Sequence, residues 1–314
     1  MKRRNFLGTS VAGGIGLALN SLPLFASTVN AGQKGPTFGI CTDLHHDLIK
    51  DGPARVRAFI DEMNYLQPDF IIQMGDFCTP KPANQAIMDA WNGFKGPKYH
   101  VIGNHDIDGG FSHNQVLAFW NAQSAYYSFD CKGYHFIVLN GNEKAADSSY
   151  IGYPRSILES QRKWLENDLA DTKLPTIVFC HQGIDNDMDG LFEGSLIRLA
   201  FERANRDAGF LKVQAVFSGH HHEDYHNVYN HINYIQINSI SYQFTHPETG
   251  YTFAHTQDPL WATVTIGTKH LNIKGKSSFY SNHQPEWQNK QGYDAYPTVA
   301  RISDRSISLK YEKV

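Results

Sequence analysis

Phe70-Ile71-Ile72-Gln73-Met74-Gly75-Asp76 decides the reading of this chain: an apolar run breaks on a glycine and leaves a carboxylate at its end. Four other stretches repeat the plan. Thr37–Thr42 runs into Asp43-Leu44-His45, Lys98–Ile102 into Gly103-Asn104-His105-Asp106, Thr176–Cys180 into His181, and Val213–Ser218 into Gly219-His220-His221-His222. Short apolar runs of this kind read as buried strands. In sheets with helical crossovers, the loops at the carboxyl ends of the strands gather on one edge, so blocks far apart in sequence can meet there.

The side chains these strands deliver are carboxylate and amide oxygens together with imidazole nitrogens, a mixture suited to Mn, Fe or Zn rather than Ca. No cysteine stands among them, which speaks against a four-cysteine zinc knot. Any one of the 16 histidines is more often a surface or packed core residue than a ligand. Five ordered blocks, each after a strand, are a different matter.

Phosphate esters call for such a set. They are anionic and repel hydroxide, whereas two divalent cations ~3.5–4 Å apart clamp phosphoryl oxygens and lower the pKa of a bound water. Holding cations that close requires an anionic bridge, and Asp76, with ligand blocks on either side, is the candidate. Asp43 and His45 can share one metal if the chain stays extended, because i and i+2 lie on one strand face. His220 and His222 follow the same rule, with His221 turned away. Asn104 offers a neutral oxygen, and His105 beside it is placed to act on a leaving group. Asp106 could orient His105 or cap the turn.

The order D-x-H, G-D, G-N-H-D, H, G-H-x-H resembles the calcineurin-like metallophosphoesterase superfamily, from about Phe38 to about His222. That resemblance implies a four-layer α/β/β/α sandwich of two mixed sheets with outer helices. It also implies one metal held by Asp43, His45, Asp76 and His222, and a second held by Asp76, Asn104, His181 and His220. His105 would contact the phosphate and help protonate the leaving oxygen, a neighbouring carboxylate sometimes tuning it. Attack would come from a metal-bridging hydroxide. Purple acid phosphatases carry a tyrosine three residues after the bridging aspartate; Thr79 stands there, which leaves the cyclic-nucleotide phosphodiesterase and general phosphohydrolase branch as the nearer pattern.

Lys2-Arg3-Arg4-Asn5-Phe6-Leu7 followed by the mild apolar stretch Val11–Leu19 reads as a twin-arginine-type signal peptide. Cleavage is expected after Ala31, with Ala26 the second choice. The apolar stretch falls short of the ~20 residues a membrane span needs. Residues 1–31 are thus a signal, and 32–314 a single metallophosphoesterase domain in the periplasm or otherwise outside the inner membrane of a bacterium. The export machinery is the expected partner.

Without residues 1–31, 25 basic side chains face 31 acidic ones, a net of −6. No basic run remains that could track a nucleic-acid backbone. Cys41, Cys78, Cys131 and Cys180 would meet an oxidising compartment, where disulfides and buried free thiols are both open.

Helical periodicity is expected over Ala54–Leu66, Ala83–Phe94, Ser156–Leu169 and about Ser195–Asp207. A hairpin is expected over Tyr126–Asp130 and Tyr134–Asn140, and strands near Val228, Tyr234–Asn238, Ala262–Ile266 and Thr298–Ile302. The loops Asp147–Arg155, Gly183–Glu193 and Ser239–Tyr251 are candidate pocket walls. Asn104, His105 and Tyr242 are the substrate-binding candidates, and Tyr242, Phe244 and Tyr251 could stack on a base or simply pack their loop. Arg155 could meet a phosphate oxygen or solvent. The substrate expected is a small phosphorylated molecule, a diester or nucleotide-type ester before a monoester. A nucleotide diphosphatase on the same centre and a non-catalytic metal-binding exported protein are the other readings.

Overall fold

Alternation along a strand sends successive side chains to opposite faces. In β1 (Thr37–Cys41), Phe38 and Ile40 therefore enter one hydrophobic cluster and Cys41 a second. The same split recurs in β2 (Phe70–Gln73), where Phe70 and Ile72 face one way and Ile71 the other. A strand buried on both faces must have layers above and below it. The computed structural model describes residues 35–145, 149–185, 189–244, 253–281 and 299–309. The expected signal peptide, Tyr251 and Thr298 lie outside these residues.

The further strands are β3 (Lys98–His100), β4 (Tyr127–Cys131), β5 (Tyr134–Val138), β6 (Thr176–Phe179), β7 (Val213–Ser218), β8 (Tyr225–Tyr229) and β9 (Ile232–Gln236). After them come β10 (Tyr242–Phe244), β11 (Phe253–His255), β12 (Ala262–Ile266), β13 (His270–Gly275), β14 (Ser277–Phe279), β15 (Val299–Arg301) and β16 (Arg305–Ser308). The helices are α1 (Gly52–Leu66), α2 (Gln85–Asn92), α3 (His113–Trp120), α4 (Glu159–Asp171) and α5 (Gly194–Ala208). One six-stranded sheet runs β16-β13-β12-β1-β2-β3 and the other β4-β5-β6-β7-β9-β8. Both are mixed. β1 to β3 are parallel with β12 antiparallel beside β1, and β5, β6, β7 and β9 are parallel with β4 and β8 antiparallel on the edges.

Between the sheets lies an aromatic core. Phe38 stacks on Phe70 at 4.9 Å and meets the edges of Phe136, Phe179 and Phe217 at 5.6 to 6.0 Å. Burying each such ring contributes about 2–3 kcal/mol by area. On the outer face of the first sheet, Ile71 and Cys41 pack with Phe59 and Met63 of α1, Trp91 of α2 and Trp120 of α3. On the outer face of the second, Val178 and Val216 pack with Leu165 of α4 and Phe201 of α5. The layers are α/β/β/α, as expected.

Some local expectations shift. The helix expected from Ser156 begins at Glu159, because Ser156 bridges to Asn142 and Glu143 instead. The α3 helix, outside the expected set, is announced by a capping box in which Ser112 and Gln115 bond reciprocally. Among the described residues no helix is long and apolar enough to cross a membrane.

One ion cluster ties β4, β5 and α4. The His135 ring, 7% exposed, lies 2.6 Å from Asp130 at Nδ1 and 2.8 Å from Asp168 at Nε2. Burial works against its charge, yet Asp168 and Asp130 raise its pKa. A raised histidine stabilises the fold fully below the unfolded value of about 6.5, and the contribution fades as pH climbs through the higher folded value. The difference in Tm between the protein and a His135→Gln variant should therefore be largest below the unfolded value and shrink as pH rises above it. A difference that stays flat over that window would show that the ring is held neutral.

Candidate metal centre

Each block begins where its strand runs out, and there the backbone turns left-handed. Asp43, His45, Asp76, His220 and His222 all have φ between 49° and 75°, a region that few non-glycine residues occupy. The extended i, i+2 geometry expected for Asp43 with His45, and for His220 with His222, is therefore absent. Left-handed turns aim those side chains inward instead. A short ladder holds the turns: Asp43 and His45 amides donate to the Gly75 and Asp76 carbonyls at 3.0 and 2.8 Å. Within the second sheet the Gly219 amide donates to the His181 carbonyl at 3.0 Å, and across the two sheets the His220 amide donates to Asp43 Oδ2 at 3.0 Å. Gly103 and Gly219 sit where a Cβ would run into Asp76 and into Thr42 and Asp43 respectively, so only glycine allows so close an approach.

Donor atoms converge in three overlapping groups: Asp43, His45 and His222; His45, Asp76 and His105; and Asp76, His181 and His220, each group within 4.8 Å. Asp76 joins the last two. Its Oδ2 lies 3.5 Å from His45 Nε2 and 3.2 Å from His181 Nε2. Asp43 Oδ1 lies 3.2 Å from His222 Nε2. Asn104 is 1% exposed, with a buried Oδ1 that has no hydrogen-bond donor among the described residues.

Outer contacts fix which nitrogens face inward. His181 Nδ1 lies 2.8 Å from the Met74 carbonyl and His222 Nδ1 lies 2.7 Å from the Tyr242 carbonyl. A carbonyl can only accept, so each Nδ1 carries the hydrogen and each Nε2 turns into the centre. His45 Nε2 and His222 Nε2 are 3.1 Å apart. Imidazole nitrogens, two carboxylates and an amide oxygen converging in this way are a donor set that fits a divalent cation.

The electrostatics agree. Burial alone would raise Asp43 and Asp76, but His222 and His181 beside the first, and His181 and His45 beside the second, hold both below the ordinary carboxylate range. Although burial disfavours a charged ring, Asp76 and Asp43 push His181 up to about 10, so a proton sits on the inward Nε2 until a cation displaces it. Burial, followed by the His181 charge, pushes His220 down to about 3, leaving it a neutral donor. This set fits two divalent ions. Metal bound only to the folded state stabilises by mass action, about 4 kcal/mol at a thousand times the Kd. Stripping with a chelator should thus lower Tm by several degrees and Mn or Zn should restore it; an unmoved Tm would argue against a built site.

His105 joins the centre through its amide, which donates to Asp76 Oδ1 at 2.7 Å. The carboxylate that meets its ring is Asp108, with Oδ2 2.7 Å from Nδ1. Asp106, expected either to orient His105 or to cap the turn, does the second. Its two oxygens accept from the amides of Asp76, Phe77, Cys78 and Gly103 at 2.7 to 3.0 Å, and it is wholly buried. The reason is the 3-10 turn over His105–Ile107, which sets residue i+3 above residue i and carries i+1 inward. That spacing could have singled out Asp108 in the sequence.

Of the two readings open for Tyr242, packing rather than stacking on a substrate is the one found. It is 1% exposed, and its ring packs 5.2 Å from His45 and 4.7 Å from His222. With no open face for a base or sugar, it backs the two histidines instead. Arg155 stays away from the centre: it pairs with Asp189 at 3.1 Å and lies over the Phe192 ring. His221 and His226 bond to Gln236 and Asn233 outside the three groups. All four cysteines are free thiols, Cys41, Cys78 and Cys180 buried and Cys131 partly so.

A family model described as calcineurin-like phosphoesterase matches residues 36–224. Manganese-dependent ADP-ribose/CDP-alcohol diphosphatase of Oryza sativa subsp. japonica is 28% identical over 183 residues, 47% of this chain and 54% of that protein. The chain thus spans about half the length of that curated relative. A dimetal phosphatase from Danio rerio is similar in structure at a TM-score of 0.64 and 13% identity, over 88% of this chain and 100% of that one. GAP50, the anchor in the inner membrane complex of Plasmodium, follows at 0.57 and 15% identity, over 90% and 91%. At such identities these two likenesses are of fold.

Proposed function

The chain belongs to the calcineurin-like phosphoesterase family, and from that premise we propose a two-metal hydrolase acting on a phosphodiester or nucleotide-type phosphate. The observation that carries this reading is the overlap of the three donor groups on Asp76 and His45, with the buried Asn104 oxygen beside them unbonded among the described residues. Asp43, His45, Asp76 and His222 would hold one ion, and Asp76, Asn104, His181 and His220 the other. Bound there, divalent ions supply charge neutralisation and an activated water. The chain's own part is to fix geometry. Met74 and Tyr242 carbonyls orient the imidazoles, Asp106 fastens the turns that bear Asp76 and Asn104, and His105 stands ready to hand a proton to the departing oxygen.

The name of the rice relative makes a nucleotide diphosphate conjugate the first form to test. Metal-loaded protein would be offered ADP-ribose, CDP-choline, bis-p-nitrophenyl phosphate and p-nitrophenyl phosphate, with Mn, Zn and Fe in parallel. Turnover of the conjugates or the diester supports the proposal, and preference for the monoester moves the protein among the phosphatases. Two metals bound without any turnover would favour a binding protein. We also propose twin-arginine export, on the strength of Lys2-Arg3-Arg4. Replacing both arginines with lysine should keep a tagged chain out of the periplasmic fraction, and unchanged fractionation would end that proposal.

A further inference from the structure

Tyr153 reaches into the centre from a loop 48 residues beyond His105, and no motif announces it. Its hydroxyl donates to Asp108 Oδ1 at 2.9 Å, while Asp108 Oδ2 faces His105 Nδ1 at 2.7 Å. The phenol oxygen also lies 3.2 Å from Nδ1, and the two rings are 4.7 Å apart. One carboxylate is thus shared, one oxygen to each partner. The loop is anchored by Arg155, whose guanidinium meets Asp189 and the Gly190 carbonyl. Tyr153 keeps 42% exposure. Burial and Asp108 raise the phenol's pKa, which keeps it a donor.

We propose that Tyr153 is a positioning residue for His105, holding Asp108 so that the imidazole keeps its hydrogen on Nδ1 and turns Nε2 to the scissile bond. The inference rests on the phosphoesterase reading of the same centre. In the step it serves, an oxygen from water bonds to phosphorus as the bond to the leaving oxygen breaks with its electron pair going to that oxygen, and the water's proton passes to solvent. The leaving oxygen takes a proton held at Nε2, and the ring keeps the hydrogen on Nδ1. Without the Tyr153 bond, Asp108 can swing into solvent, since 41% of its side chain is exposed. The ring could then rotate or change tautomer.

The test uses Tyr153→Phe, which removes one oxygen at a half-exposed position, with Asp108→Asn as a second variant. Long-range proton–nitrogen NMR of zinc-loaded protein, taken where the ring is neutral and assigned with His105→Gln, reads the tautomer directly. The wild-type ring should show Nδ1–H alone, and both variants a mixture. An unchanged tautomer in Tyr153→Phe overturns the proposal, whatever the activity. The kinetic arm compares an alkyl phosphodiester, whose leaving oxygen needs a proton, with a p-nitrophenyl diester, whose leaving group does not. Tyr153→Phe should lose about tenfold in kcat on the alkyl ester, the size of one hydrogen bond to a charged group. On the nitrophenyl ester it should lose no more than about twofold. Equal losses on both would mean a general structural role and overturn the assignment. A wild type that turns over neither ester defeats the phosphoesterase reading instead, and the NMR arm still decides the arrangement around His105.

Discussion

Asp76→Asn is expected to abolish turnover and to unload the metal centre. The carboxylate has three duties at once: Oδ1 accepts the His105 amide, while Oδ2 lies between His45 and His181. An asparagine keeps the shape and one acceptor oxygen, but it brings no charge to share between two cations. Its amide hydrogens would also point toward imidazole lone pairs. Charge stabilisation by such a centre amounts to several kcal/mol in the transition state, so kcat/KM should fall by about 10³-fold or more. Metal content should drop from about two ions per chain to one or fewer. Elemental analysis of the purified variant, run beside the kinetics, separates the two effects. Full metal content with full activity would show that Asp76 is not the shared ligand. Full content with lost activity would confine its role to the chemistry.

The seven ligand candidates were legible because strand ends are legible. An apolar run that stops at Gly75-Asp76 or Gly103-Asn104 marks both the end of a strand and the residue delivered there, and parallel neighbours bring those ends together. The backbone that aims the side chains was not legible in the same way. Left-handed φ at His45, His220 and His222 comes from the packing of one loop on another, as when the His220 amide seats on Asp43. No local propensity of histidine would disclose it. Asp108 was missed because the block G-N-H-D drew attention to its own last letter, whereas the 3-10 turn hands His105 to the carboxylate two residues further on. Tyr153 depends wholly on tertiary structure. For Tyr242 the sequence leaves stacking and packing both open; β10 and β11 fold it against the centre, and Arg55 fastens that segment by bonds to Ile240 and Thr256. Sequence pattern therefore located the donors, while the groups that orient them belong to contacts between distant loops.

Asp106→Asn is expected to lose stability rather than chemistry, and its size follows from counting donors. Oδ1 accepts the Phe77 and Cys78 amides at 2.7 and 3.0 Å, and Oδ2 accepts those of Asp76 and Gly103 at 3.0 and 2.8 Å. An asparagine offers one acceptor oxygen, so at most one pair of amides stays satisfied. Its NH2 group faces the other pair, donor against donor, with no water to turn to in a site that is fully buried. Each buried amide left unpaired costs about 1–3 kcal/mol, which puts the loss near 4 kcal/mol. At about 2–4 °C per kcal/mol for a domain of this size, Tm should fall by about 10 °C. The damage should also spread to the centre. The four amides belong to the turns after β2 and β3, the turns that carry Asp76 and Asn104, so metal affinity should weaken about 10- to 100-fold, as it does when supporting contacts of a metal site are lost. At saturating metal and below the lowered Tm, activity should return to within a few-fold of wild type. A variant that melts like wild type yet has lost its turnover would reverse the assignment: Asp106 would then act on the reaction, and the four amides would be a consequence of its position.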